Sequence, residues 1–180
     1  MPQAEDKKKR IKQWTTFYRK NWEIYAEERL RVKLRPFQRI MLHLIGRSEV
    51  FFAVCARGSA KTFIVGLAAV IYCLLYPYGY VVITASTVDQ AKKMVDNKIR
   101  NELILKLSPV LHYMYQKGLI EITSSTDRAE VSFFNGSSIT VMPALDSSRG
   151  ARASFLVYEE CRLLRKGDID SIFEYSAPLV

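Results

Sequence analysis

The sequence predicts an α/β fold, with a mainly parallel sheet flanked by helices and one antiparallel hairpin inserted. Three observations predict it. Apolar, β-branched runs alternate with helical stretches along most of the chain. One such run, residues 50–54, passes directly into a small-residue loop and then a helix: Cys55-Ala56-Arg57-Gly58-Ser59-Ala60-Lys61-Thr62. Two later strands are joined through Asn135-Gly136, a dipeptide that tolerates the positive φ of a tight hairpin turn.

The elements follow in order. Residues 11–32 carry an amphipathic helical pattern that ends before Leu34-Arg35-Pro36. Pro36 opens a second helix over 36–45, because a proline in the first turn lacks only an N–H that the helix does not use. Residues 50–54 read as the first strand. Residues 61–75 read as a helix buried on most sides, closed by Pro77 and Gly79. The run 80–85 is continuously apolar and β-branched, as a parallel strand covered on both faces should be. An amphipathic helix follows over 88–107 and stops before Pro109. Strands are expected at 119–122, 130–134, 138–142 and 155–158, and a helix begins near Asp168. The sheet so read is incomplete at its C-terminal end, so the chain is expected to be a truncated piece of a longer one.

Size and composition narrow the class. At 180 residues, the chain can form one domain with a real core. Its 49% apolar content and 25% charged content exclude a disordered polymer. Net charge is +9, unevenly spread: residues 1–35 hold eleven Lys/Arg against five Asp/Glu. A basic, aromatic segment over 1–33 (Lys7-Lys8-Lys9-Arg10, then Trp14, Phe17, Tyr18, Trp22 and Tyr25) suits a polyanion such as DNA. A solvated helix with its aromatics packed on a neighbour would read the same way. The rest, 34–180, reads as one domain.

Cys55, Cys73 and Cys161 form no C-x-x-C and fit a reducing compartment rather than a zinc site or disulfide framework. His43 and His112 have no metal-ligating neighbours in sequence. The N-terminus lacks the apolar stretch of a signal peptide. Residues 63–76 are uncharged, but they fall short of the roughly 20 residues that span a bilayer. No membrane partner is expected.

The loop at 55–62 names a ligand class. Backbone N–H groups of such a loop, together with the helix N-terminus behind it, point at phosphate oxygens. In the pattern G-x-x-x-x-G-K-[ST], Lys61 reaches the β/γ-phosphates of ATP and Thr62 ligates Mg²⁺. Cys55 and Ala60 stand where that pattern has glycine, leaving Gly58 as the loop's one glycine. The strand at 155–158 ends in Glu159-Glu160. Two carboxylates there lie over the phosphates, where ligands of open α/β sheets bind. Glu159 then serves the metal, and Glu160 polarises the attacking water as general base. Two glutamates after a strand are otherwise a surface turn; their place after the loop gives them weight. Gln38 offers an amide donor and acceptor suited to the adenine edge. Arg57, Arg149 and Arg152 are candidates to meet charge developing on the γ-phosphate.

Five segments in order, Arg-Pro-Phe-Gln (35–38), Ala-Arg-Gly-Ser-Ala-Lys-Thr (56–62), Asn-Gly-Ser-Ser-Ile (135–139), Ser-Arg-Gly-Ala-Arg (148–152) and Phe-Leu-Val-Tyr-Glu-Glu (155–160), resemble the ATPase domain of the large terminase subunit of tailed double-stranded DNA phages. The resemblance runs from Leu34 to the end. It implies a P-loop NTPase fold of the ASCE, RecA-like division. It further implies an ATP- and Mg²⁺-dependent motor that moves double-stranded DNA into a capsid. Such a motor is a homo-oligomeric ring at the portal protein, partnered by a small terminase subunit, in the host cell cytoplasm. In that family the residue before the loop lysine is not always glycine, so Ala60 fits. Gly58, Ser59, Ala60, Lys61 and Thr62 match its phosphate loop, Gln38 its adenine contact, and Arg57 its loop arginine. Arg149 and Arg152 match positions discussed as acting on a neighbour's ATP. Glu159 replaces the family's usual Asp. Nothing matches the family's nuclease domain or its coupling motif. Two other readings stand beside this one: a helicase-like P-loop ATPase, and a non-hydrolysing DNA-binding or assembly module with a vestigial loop.

Overall fold

The computed structural model describes residues 2–56, 58–85, 87–125, 128–143 and 153–159. The helix expected near Asp168 lies outside them. The chain opens with α1 (Pro2–Lys20) and α2 (Trp22–Glu28). The single helix expected over 11–32 therefore starts earlier and breaks at Asn21, where φ is −137° and ψ is 69°. The Asn21 side chain donates to Phe17 O at 2.7 Å, and its N–H bonds Tyr18 O at 3.1 Å. Asparagine competes with helix by such local bonds, which is why it stops one helix and heads the next. The break turns the aromatics inward: Tyr18, Trp22 and Tyr25 are all buried.

Helix α3 (Pro36–Ile45) forms as the proline predicts, and α4 (Lys61–Leu75) is buried on most sides, with Ile64, Leu67, Ala68, Val70 and Ile71 fully enclosed. Helices α2 and α3 both pack on α4 and are tied together by Glu23 Oε1 and His43 Nδ1 at 2.9 Å. Trp22 closes against Gly46, just past α3, so tightly that a Cβ there would stand 2.8 Å from the indole.

Residues 50–54 form no strand, a correction to the sequence reading. Val50 is 68%, Phe52 73% and Val54 88% exposed. The composition favours a strand, but a strand exists only when a neighbour satisfies its backbone ladder. No described segment pairs with this one.

The sheet has five strands: β1 (Tyr80–Ala85), β2 (Ile120–Ser124), β3 (Ala129–Phe133), β4 (Ser138–Pro143) and β5 (Phe155–Tyr158), in the order β2-β3-β4-β1-β5. β1 lies parallel between β4 and β5, with Ile83 opposite Val141 and Val157. β2, β3 and β4 form an antiparallel meander, with Val131 opposite Ile122 and Ile139. The sheet is thus mixed, its parallel half beside the loop helix and its antiparallel half made by the expected hairpin plus β2. The turn is at Asn135-Gly136, as its dipeptide predicts, with Gly136 at φ +78°.

The helix expected over 88–107 splits into α5 (Val88–Lys93) and a π-helix (Met94–Leu107). Its buried side chains fall four apart at Ala91, Val95, Ile99 and Leu103, and five apart at Met94, Ile99 and Ile104. That spacing is wider than an α-helical stripe and suits i→i+5 winding. A further helix, α6 (Pro109–Gln116), follows at Ser108, whose hydroxyl accepts from Leu111 N at 3.2 Å and donates to Leu30 O.

Candidate functional site

The loop at 55–62 ends on α4, and its backbone carries the features that its sequence lacks as glycines. Gly58 takes φ +82°, with open space where a Cβ would be. Ala60 takes φ 55° and ψ 27°, the left-handed conformation, at the position before Lys61. That geometry is the reason glycine usually stands there; alanine holds it at a cost of about 1–2 kcal/mol. Ser59 N–H closes the turn on Ala56 O at 3.3 Å, and Ile64 N–H returns to Ala60 O at 3.1 Å. Lys61 and Thr62 are then the first two residues of α4, half-buried at its N-terminus. The unused N–H groups of that first turn make a place for anionic oxygen.

Across from the loop, the parallel ladder places Glu159 one residue past β5, with its N–H on Thr84 O at 2.8 Å. The Thr62 hydroxyl donates to Glu159 Oε1. The sheet and the loop helix thus bring together two residues singled out from the sequence as metal-facing. A hydroxyl and one carboxylate oxygen are hard donors. They suit Mg²⁺, which takes few protein ligands and completes its shell with phosphate oxygens and water. Among the described residues no cluster of three His, Cys, Asp or Glu could hold a metal by itself.

Two buried hydroxyls that the sequence reading passed over lie on these same elements. Ser59 Oγ, in the loop, and Thr84 Oγ1, at the end of β1, are both buried with no hydrogen-bond partner. Thr84 pairs across the ladder with Tyr158, next to Glu159. Buried hydroxyls are normally satisfied, so the orphan within the phosphate-type loop, Ser59 Oγ, fits a ligand or its water, while Thr84 belongs to the strand whose carbonyl holds the Glu159 N–H. The available signal for Thr84 was a lone polar residue closing the apolar run Val81-Val82-Ile83.

Gln38 has a structural task as well. It is 8% exposed in the first turn of α3, and its Oε1 accepts the Arg35 N–H at 2.8 Å while its own N–H bonds Arg35 O at 2.9 Å. The Gln38 side chain thus makes its half of a capping box, while the other bond goes to the Arg35 backbone carbonyl because arginine has no side-chain acceptor. The first bond occupies the acceptor expected to meet adenine. Arg57, Arg149, Arg152 and Glu160 lie outside the described residues. No helix among the described residues is long and apolar enough to cross a membrane.

No protein-family model matches the chain, and no curated protein matches its sequence. Solved structures do match. The ATPase domain of the large terminase of Thermus phage P74-26 superimposes with a TM-score of 0.60 at 18% identity, over 83% of this chain. An arginine-to-alanine mutant of that domain gives 0.60 at 19%. This chain spans 62% of either. The likeness is one of fold: a mixed, open five-stranded sheet flanked by helices, as in a large terminase ATPase domain.

Proposed function

We propose that the chain is an ATP-hydrolysing motor domain of a phage terminase large subunit, powering movement of double-stranded DNA into a capsid. The observation that carries this reading is the bond from Thr62 to Glu159, because it unites the phosphate loop with the acidic strand end on a fold shared with such a domain. The loop's left-handed Ala60 supports it, since the backbone takes the course a phosphate loop needs without the usual glycine.

The residues divide the work as follows. N–H groups of 58–62 and the Lys61 ammonium hold the phosphates of ATP. Thr62 keeps its proton on Glu159 and still has a lone pair for a cation, so both bonds are compatible. Bound Mg²⁺ would neutralise charge on the β- and γ-oxygens. Glu160 takes a proton from the attacking water. Arg57 in the same loop, and Arg149 and Arg152 before β5, are the candidates to meet γ-phosphate charge, the latter two on a neighbouring subunit's ATP. Gln38 contacts the base through whatever the Arg35 cap leaves free. The partners in this reading are double-stranded DNA, the portal protein, a small terminase subunit and further copies in a ring, all within the host cell cytoplasm.

The test is ATP turnover with Mg²⁺, alone and with DNA and proheads, for the parent, Lys61→Ala and Glu160→Gln. Both variants should lose at least about 100-fold in kcat, a loss typical of removing a catalytic group. Turnover equal to the parent's in both would sink the assignment. Strand separation without packaging would instead favour a helicase.

A further inference from the structure

We propose that the first half of α1 is a docking surface for the phosphate backbone of double-stranded nucleic acid. This deepens the reading above by naming where a duplex would touch the chain. Helix α1 runs Pro2–Lys20, but only its last turns join the core: Tyr18 is 4% exposed, with Trp14 edge-on to it at 4.7 Å between rings. Every residue from 7 to 14 is exposed, including Ile11 at 55% on the side that Tyr18 buries further along. The helix therefore stands clear of the domain over residues 7–13 and first meets it at Trp14.

Its cations are arranged to match. Successive helical residues point about 100° apart, since 3.6 make a turn. Lys7, Lys8, Lys9 and Arg10 thus form a positive collar around the axis, and Lys12 extends it. None of these five takes part in the ion pairs of the described side chains. The cations nearer the core behave differently. Arg19 donates twice to Leu75 O, at 3.0 and 2.8 Å, and sits over the Tyr76 ring. Arg29 bonds Tyr18 Oη and faces the Trp14 ring. Among the described side chains, Arg19 and Arg29 are thus tied into the fold, while the five cations of the projecting stretch form no ion pair.

The collar also selects the partner. A helix that binds a bilayer needs one continuous apolar face; the exposed Ile11, Trp14 and Phe17 begin one, but the four consecutive cations at 7–10 interrupt it. A duplex groove presents phosphates on two walls, and the major groove, about 12 Å wide, admits a helix. Residues 2–13 extend about 18 Å, enough to lie along such a groove. Recognition through Lys and Arg alone would be independent of sequence and strongly dependent on salt.

The experiment uses the whole chain and a fluorescent duplex of arbitrary sequence, with anisotropy followed over a salt series. Five phosphate contacts give a slope of log K against log salt of about −4.5. The variant K7Q/K8Q/K9Q/R10Q/K12Q should bind at least about 100-fold more weakly at low salt, with a slope flatter by about 3 or more. K7R/K8R/K9R/K12R should bind as the parent does. Binding of a fluorescent ATP analogue and the melting temperature are read on the same variants without nucleic acid. They should not change, so a failure of the nucleotide site is seen separately. Duplex binding by the glutamine variant with the parent's affinity and slope overturns the proposal. So does a parent that prefers phosphatidylserine vesicles or an acidic peptide to the duplex.

Discussion

The Thr62 hydroxyl, in the first turn of α4, donates to Glu159 Oε1, 97 residues further along the chain. Removing the hydroxyl but keeping the shape tests what that bond does. Thr62→Val should weaken Mg²⁺-dependent binding of a fluorescent ATP analogue by about 10- to 100-fold, the range for a charged hydrogen bond. Thr62→Ser should retain it. With EDTA in place of Mg²⁺, parent and Thr62→Val should bind alike; an unchanged difference would mean the hydroxyl acts on the nucleotide without the metal.

Alanine in the left-handed conformation makes an unusual sign prediction. Ala60→Gly relieves about 1–2 kcal/mol of backbone strain while loosening the unfolded chain by about 0.4–1 kcal/mol. Its melting temperature should equal or slightly exceed the parent's. Ala68→Gly, inside α4 and fully buried, should lower it by several degrees, because glycine there costs about 1 kcal/mol before any lost packing. Equal losses at both positions would show that Ala60 is unstrained.

Two glycines separate close packing from backbone freedom. At Gly46, φ is −69°, so alanine suits the backbone, but its Cβ would press on the buried Trp22 indole at 2.8 Å. At Gly136 the obstacle is the Tyr78 ring at 2.7 Å, which is 84% exposed and free to swing away, leaving the cost of φ +78°. Gly46→Ala should cost up to about 3 kcal/mol. Gly136→Ala should cost about 1–2 kcal/mol. Chemical denaturation checks the order, and a Tyr78→Ala background should rescue neither fully.

Burial pushes the Cys73 thiol from its ordinary 9.0 to about 12. The folded state thus keeps a proton that the unfolded chain releases, and the stability from this group is present below pH 9 and lost as pH rises toward 12. The stability difference between parent and Cys73→Ala should shrink across that window. A difference that stays constant with pH would mean the thiol titrates normally.

What was legible in the sequence was what local chemistry decides. Pro36 set the start of α3, the run 80–85 set β1, and Asn135-Gly136 set the hairpin, each by a signal contained within a few residues. Residues 155–158 and the first turn of α4 were also readable, so the meeting of Thr62 with Glu159 followed from two motifs on neighbouring elements. Pairing was not legible. Residues 50–54 have strand composition, yet a ladder depends on a neighbour that no local pattern names. The break at Asn21 had a signal, an asparagine, that the stronger hydrophobic periodicity around it outweighed, and Ser108-Pro109 reads as the end of one helix before it reads as the start of α6. The π-helix was hidden because fours and fives in a buried stripe look like an imperfect α-helix. Thr84 and Ser59 were missed because a hydroxyl's importance shows only once its burial is known.

The far end of α4 is pinned. Cys73 O accepts both the Asn135 side-chain amide at 2.7 Å and the Ser137 hydroxyl at 2.8 Å, so the β3–β4 turn grips the last turn of the helix. The helix from Lys61 to Cys73 makes a strut of about 20 Å, stiff along its axis, between that grip and the loop. Arg19 holds the same end from the other side through Leu75 O, so α4 is clamped between the turn and α1. A shift of the helix at residues 58–62 would therefore have to move the hairpin turn, which ends at the surface beside Tyr78 and Phe134.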